Sequence, residues 1–303
     1  MNTLELDLQA LAGTHLGKAG DGSLVKPYVT PDKHDKTLLV GLPRSLNRKK
    51  HGITTAERFV GYEVWHAYEM SFLKRNGMPC TGVLKLNYPA SSKSMVESKS
   101  LKLYLNSFDL EKFDSIEEVE GIIKQDLEEL LEGKVEVKLH TAKQAKFLKN
   151  TLPLSFENVD DLDIEITTYK EDPSVLEFVE HKHTQSLSFH TANLRSNCEI
   201  TNQKDSGNSF IYIVGKKLPT LESLTRYVIS FRDEQIFHEN GCEKVYETLF
   251  KACKPEHLLV ADIYTRRGGI SIHSVRASDK KTLEYKMPQY EEVKLLWEKL
   301  PQE

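Results

Sequence analysis

Apolar positions recur along this chain at two periods, and the switches between them divide it into elements. Ile116, Val119, Ile123, Leu127 and Leu130 form one helical stripe that stops at Gly133. A second stripe, Cys242, Val245, Tyr246, Leu249, Phe250 and Cys253, follows the tripeptide FHE and ends before Pro255. Strict alternation marks strands in TGVLKLNYP, in KVEVKLH with Val135, Val137 and Leu139 together, and in FIYIVG. HLLVADIYTR and GISIHSV predict a hairpin with Arg266, Arg267, Gly268 and Gly269 at its tip. WHAYEMSFLKRNG predicts a short helix ended by Gly77. In MVESKSLKLYLNSF, Leu101, Leu103 and Leu105 share one face of a strand, with a helix left open for the first part. LRSNCEIT predicts a strand that turns Leu194, Ser196, Cys198 and Ile200 inward, followed by the turn NQKDSGNS.

These elements predict four segments. Residues 1–56 lack a clear period and form an N-terminal extension, in which LPRSLNRKKHG reads as a basic surface connection. Residues 57–150 form a first module. Residues 151–184, acidic and carrying Pro153, Pro173 and one strand around IEITTY, form a connector, and residues 185–303 a second module. The halves echo each other: ESKSLKLYLNSF and ESLTRYVISF are each followed by a further Phe, an amphipathic helix and a strand. The pattern is that of a duplicated α+β unit, with helices on one face of an antiparallel sheet.

Composition narrows the class. With 39% hydrophobic and 28% charged residues, and no apolar run of the ~20 residues that a span needs, the chain reads as soluble. A formal charge of −4 argues against direct nucleic-acid binding. The first residues lack the features of a secretory signal, so the cytoplasm is the expected compartment. Cys80, Cys198, Cys242 and Cys253, none in a CxxC pair, are then reduced thiols.

Several residue types carry candidate chemistry, each with an ordinary alternative. Cys198 reads either as a small buried hydrophobe or as a nucleophile activated by neighbours. Asp205 is either turn chemistry or an acid folded back toward the thiol. His238 and Glu239 open a helix, where a carboxylate is favoured by the dipole; equally, Glu239 can accept the NH groups of a heterocycle. The RRGG tip is a solvated turn or a phosphate site. His181, His183 and His190 read as exposed strand histidines before a metal site, and no metal is expected.

Taken together, VESKSLKLYLNSF, SNC with Asp seven residues on, ISFRDEQIFHE and YTRRGG resemble the long, two-module NADPH-dependent 7-cyano-7-deazaguanine reductases. The resemblance implies two tandem tunnelling-fold modules that bind purine-like ligands at their interfaces, and a homodimer. It implies reduction of a nitrile to a primary amine in queuosine biosynthesis, with two NADPH consumed. Matched motif by motif, Cys198 corresponds to the nucleophile that forms a thioimide and Asp205 to its proton donor. Val96, Glu97, Ser98, His238 and Glu239 correspond to the deazaguanine site, and Ser98, Lys99, Arg267 and Gly268 to NADPH contacts. Lys204 and Ser206 depart from the proline and the aromatic residue that usually flank the acid. Two competitors differ in class: a metal-dependent purine or pterin hydrolase using His181, His183 and Cys198, and a deazapurine-binding module without turnover.

Overall fold

The computed structural model describes residues 31, 33–77, 79–141, 156–199 and 204–285. Short strand β1 (Gly41–Pro43) leads directly into helix α1 (Arg44–Lys50), and β2 (Val60–Lys74) and β3 (Pro79–Pro89) form an antiparallel hairpin. β4 (Ser94–Val96) returns to pair with β1. Helix α2 (Ser98–Asn106), the two-residue β5 (Lys112–Phe113), helix α3 (Ile116–Leu131) and β6 (Glu136–Thr141) complete the first half. After β7 (Glu157–Asn158), the second half runs β8 (Phe178–Asn197), β9 (Lys204–Pro219), α4 (Leu221–Ser230), α5 (His238–Cys253), β10 (His257–Tyr264) and β11 (Ile270–Ala277), with α6 (Lys280–Tyr285) beyond it.

One sheet of nine strands runs through both halves in the order β6-β3-β2-β11-β10-β9-β8-β7, with β5 beside β2. The halves join where β11 pairs antiparallel with β2, placing Ile272 opposite Trp65 and Ser274 opposite Glu63. This is an α+β fold of two tandem modules, each a β-hairpin followed by two helices. Leu101, Tyr104, Val119, Ile123 and Leu127 of α2 and α3 close one core over Trp65, Leu84 and Leu86. Leu224, Val228, Val245 and Leu249 of α4 and α5 close a second over Ile211, Ile213 and Val260. Each fully buried apolar side chain stabilises by ~1.5–3 kcal/mol, so these stripes suffice to fix both helix pairs to the sheet. Val64, Phe210, Tyr212, Leu259 and Val275 pack together on the opposite face.

Several expectations from sequence are corrected. WHAYEMSFLKRNG is not a helix: it lies in the 15-residue strand β2, and Gly77 serves the turn beyond it at φ +82°. β2 is a central strand buried on both faces, so apolar residues stand at both parities and the alternation disappears. The Leu101–Leu105 stretch, whose type the period left open, is helix α2, because the buried set is Ser100, Leu101, Tyr104 and Leu105, a helical spacing. LPRSLNRKKHG is not a surface connection: it holds β1 and α1, with Arg44 and Asn47 buried. IEITTY forms no strand. Asp205 also moves, from a turn to the second residue of β9, opposite Ser196; Ile200 and the turn residues 201–203 lie outside the described residues.

Candidate active site

The junction of the two modules carries a cleft enclosing about 420 Å³, its open mouth included. The first module supplies Val96, Glu97, Ser98 and Lys99 from the end of β4 and the start of α2. The second supplies Cys198 just past β8, Asp205 from β9, His238 and Glu239 from the first turn of α5, and Arg267 from the β10–β11 hairpin. Residues from three distant parts of the chain thus converge on one space. Gly268 lies in an adjoining groove of about 600 Å³, which shares Ser98, Lys99 and Arg267 with the cleft and adds Lys102.

Local chemistry explains the placement. Glu97 is the N-cap of α2, its carboxylate accepting from the backbone N–H of Lys99 at 3.1 Å and of Ser100 at 2.7 Å. The cap orients the first turn and delivers Lys99 into the cleft, where its Nζ lies 3.9 Å from Cys198 Sγ and 3.9 Å from Glu97 Oε1. An ammonium at that distance favours negative charge on sulfur. Lys99→Met is expected to slow alkylation of Cys198 by iodoacetamide at pH 7 by roughly 3- to 10-fold, since one pKa unit is tenfold in thiolate. Peptide mapping reads the site; an unchanged rate removes Lys99 from thiol activation.

Asp205 is buried and paired with Arg267 Nη1 at 2.9 Å from Oδ1, and His238 Nε2 stands 3.2 Å from its Oδ2 without forming a hydrogen bond. The His238 ring is itself stacked on Tyr264, with centroids 3.8 Å apart and planes at 8°. Glu199, next after Cys198, is fixed by Lys50 Nζ at 2.6 Å and His51 Nε2 at 3.0 Å. Burial opposes its ionisation, but the bonds from His51 and Lys50 outweigh that and hold its carboxyl below the ordinary range. The end of α1 therefore anchors the strand end that carries the thiol.

Glu239 has the opposite setting. Burial pushes its carboxyl up to about 7, the charge of Glu63 adds to the rise, and His238 and Arg44 only partly offset it. Behind it stands a buried ion network: Arg276 bridges Glu63 at 2.7 Å and Glu243 at 3.0 Å, Arg44 meets Glu63 at 3.1 Å, and Arg48 meets Glu243 at 2.8 Å.

Residues 30–139 match the family described as nitrile reductase, 7-cyano-7-deazaguanine-reductase N-terminal part, and residues 208–283 match that described as QueF-like protein. The two matches follow in chain order, one per module, and together span more than half of the 303 residues. The chain belongs to the 7-cyano-7-deazaguanine reductase family. It is accordingly a nitrile reductase of the queuosine pathway. Among solved structures, the archaeosine synthase QueF-Like in its apo form aligns at 20% identity over 31% of this chain and 91% of that chain, with a TM-score of 0.28. That superposition is too slight to inform fold or activity.

Sequence reasoning missed part of this site. Trp65, Met95 and Phe237 line the cleft beside the expected residues. Phe237 had a signal, an aromatic residue directly before a strong helix; Trp65 was hidden by the mistaken helix. The Arg44–Glu63–Arg276–Glu243 network had none, since its members are far apart in sequence. His181 and His183 lie on β8, partly or fully exposed. Among the described residues no three His, Cys, Asp or Glu side chains are grouped to hold a metal ion, and no helix is long and apolar enough to cross a membrane.

Proposed function

We propose that the protein reduces the nitrile of 7-cyano-7-deazaguanine to 7-aminomethyl-7-deazaguanine with NADPH, through a thioimide on Cys198. The observation that carries this reading is the convergence of Cys198, Lys99 and Asp205 in one cleft whose inner end is Glu239. Glu239 accepts the N–H donors of the guanine-like edge, with Val96, Ser98 and His238 bounding the ring. Glu97 fixes the first turn of α2 and keeps acceptor capacity toward the ligand.

Cys198 sulfur bonds to the nitrile carbon, one C–N π bond breaks, and the thiol proton passes through Asp205 to the nitrile nitrogen. Held by Arg267, with His238 beside it, Asp205 is set to take that proton first and return it second. The adjoining groove fits an anionic, phosphate-bearing ligand: Lys99, Lys102 and Arg267 line it, and Gly268, at φ +59°, carries no side chain there, its carbonyl accepting from Lys102 Nζ at 2.9 Å. These residues would hold NADPH, which would supply one hydride per molecule: two molecules in succession, with protons from solvent, would take the thioimide to the amine, the bond between carbon and Cys198 sulfur breaking after the first hydride. The protein is proposed to work in the cytoplasm, and as a homodimer, as its family resemblance implies.

The test is the intact mass of the protein mixed with 7-cyano-7-deazaguanine without NADPH: an increase equal to the substrate mass is expected. No adduct and no NADPH oxidation would return weight to a binding module or hydrolase. Asp205→Asn is expected to slow adduct formation and turnover by ~10² to 10⁴, the range for one general acid–base group. Turnover within threefold of wild type would strip Asp205 of that role.

A further inference from the structure

Glu239 lines the cleft, and behind it lie two further buried carboxylates, Glu63 and Glu243; none of the three is more than 3% exposed. Three guanidiniums lie around them, a number that would neutralise all three. They are shared unevenly. Arg276 donates to Glu63 and Glu243, Arg44 stands at Glu63 and Arg48 at Glu243. Among the described residues no Lys or Arg comes within 4.0 Å of the Glu239 carboxylate.

Glu239 and Glu243 are an internal comparison, the same residue type one turn apart on α5. With Arg276, Arg48 and Arg44 overcoming its burial, the Glu243 carboxyl lies at about 2. Glu239 lacks the Arg276 and Arg48 contributions and feels Arg44 only as a minor opposing charge; burial and Glu63 push its carboxyl up to about 7. The groups that face Glu239 are Glu63 from β2, Arg44 from α1, the Tyr88 hydroxyl from β3, His238 beside it on α5, and Glu97 and Lys99 across the cleft. Burial and Glu63 favour the neutral acid, and Arg44 and His238 oppose them without pairing.

A neutral carboxyl carries a hydrogen of its own and is poorly matched to two N–H donors, whereas the carboxylate accepts both. We infer that Glu63 is a positioning residue for ligand capture: by drawing Arg44 and Arg276 to itself, it keeps Glu239 in its neutral form in the empty cleft, so that entry of a heterocycle edge bearing two N–H donors expels one proton. The ligand then takes the place of the missing guanidinium. This rests on the proposed reading of Glu239 as the ligand's acceptor.

The test is calorimetric titration of the full chain with 7-deazaguanine, which has the donor edge but no nitrile, in buffers of different ionisation enthalpy at pH 6. Wild type is expected to release close to one proton per ligand bound. Its Kd should tighten about tenfold per unit as pH rises toward 7 and level off above it, the sign for a proton bound more tightly in the free state. In Glu63→Gln the acid limb should move down by a unit or more and the release at pH 6 should shrink, while Glu63→Asp, which keeps the charge, restores both. A change of packing alone would alter Kd without moving the limb. Tight wild-type binding with no proton release overturns the inference while leaving the proposed function standing; no binding at any pH overturns both. Because the wild-type titration is decisive alone, the inference stays testable even if Glu63→Gln does not fold.

Discussion

Cys198→Ala is expected to show no mass increase with 7-cyano-7-deazaguanine and to lose at least about 10⁴-fold in NADPH oxidation, as removal of a nucleophile does. No other thiol can take its place. Cys242 is fully buried, with its thiol pushed far up by burial and by the charge of Asp262, and Cys253 is pushed up by burial to about 12. Cys80 is buried in the first module's core. The variant should still bind 7-deazaguanine with near wild-type affinity, because Glu239 and its neighbours do not depend on the sulfur. That pairing of intact binding with lost chemistry separates a nucleophile from a packing residue. Turnover within tenfold of wild type, or an adduct mapped to another residue, would end the thioimide reading.

The second large effect concerns stability. Arg276 is 0% exposed and stands between Glu63 and Glu243, with Nη1 also donating to the Val275 carbonyl at 2.9 Å. Arg276→Met keeps much of the volume but leaves two buried carboxylates short of a cation. Breaking a buried ion pair by removing one partner destabilises by ~3–5 kcal/mol, much of a typical ~5–15 kcal/mol margin. The denaturant midpoint should fall accordingly. If the loss is uncompensated charge, adding Glu243→Gln to Arg276→Met should recover part of it, with Arg48 left partly exposed to water. A midpoint unchanged in the single variant, or lowered further in the double, would mean that Arg276 contributes through packing.

Because β11 of the second module and β2 of the first meet at this network, the same arginine joins the modules and shapes the charge behind Glu239. Fold stability and ligand chemistry therefore share residues here. A carboxylate deprived of a counter-ion is unfavourable for the fold and useful for a ligand, as expected where a functional group is placed at the expense of stability.

The sequence by itself determined what depends on local periodicity and on residue identity. The stripe of α3 and the strand β6 were legible because each buries one face, so the apolar period survives in the sequence; α5 was legible from its apolar spacing, and the hairpin β10–β11, buried on both faces, from two apolar runs around the RRGG tip. Nine of the ten expected site residues line one cleft, and Gly268 its adjoining groove, because motifs name residue types directly. Tertiary structure alone decided the rest. β2 is central, paired with β3 and β11, and is covered on both faces, Trp65 and Phe72 packing into the helix-covered core and Val64 into the cluster opposite, so no alternation was available to read. α1 turns Arg44 and Asn47 inward because a buried carboxylate 19 residues later, Glu63, compensates the arginine, a pairing that no local pattern encodes. The contrast between Glu239 and Glu243 is of the same kind. Two glutamates one turn apart are chemically identical in sequence, and only the placement of distant groups separates them: Arg276 and Arg48 hold the Glu243 carboxyl low, while burial and the charge of Glu63 raise that of Glu239.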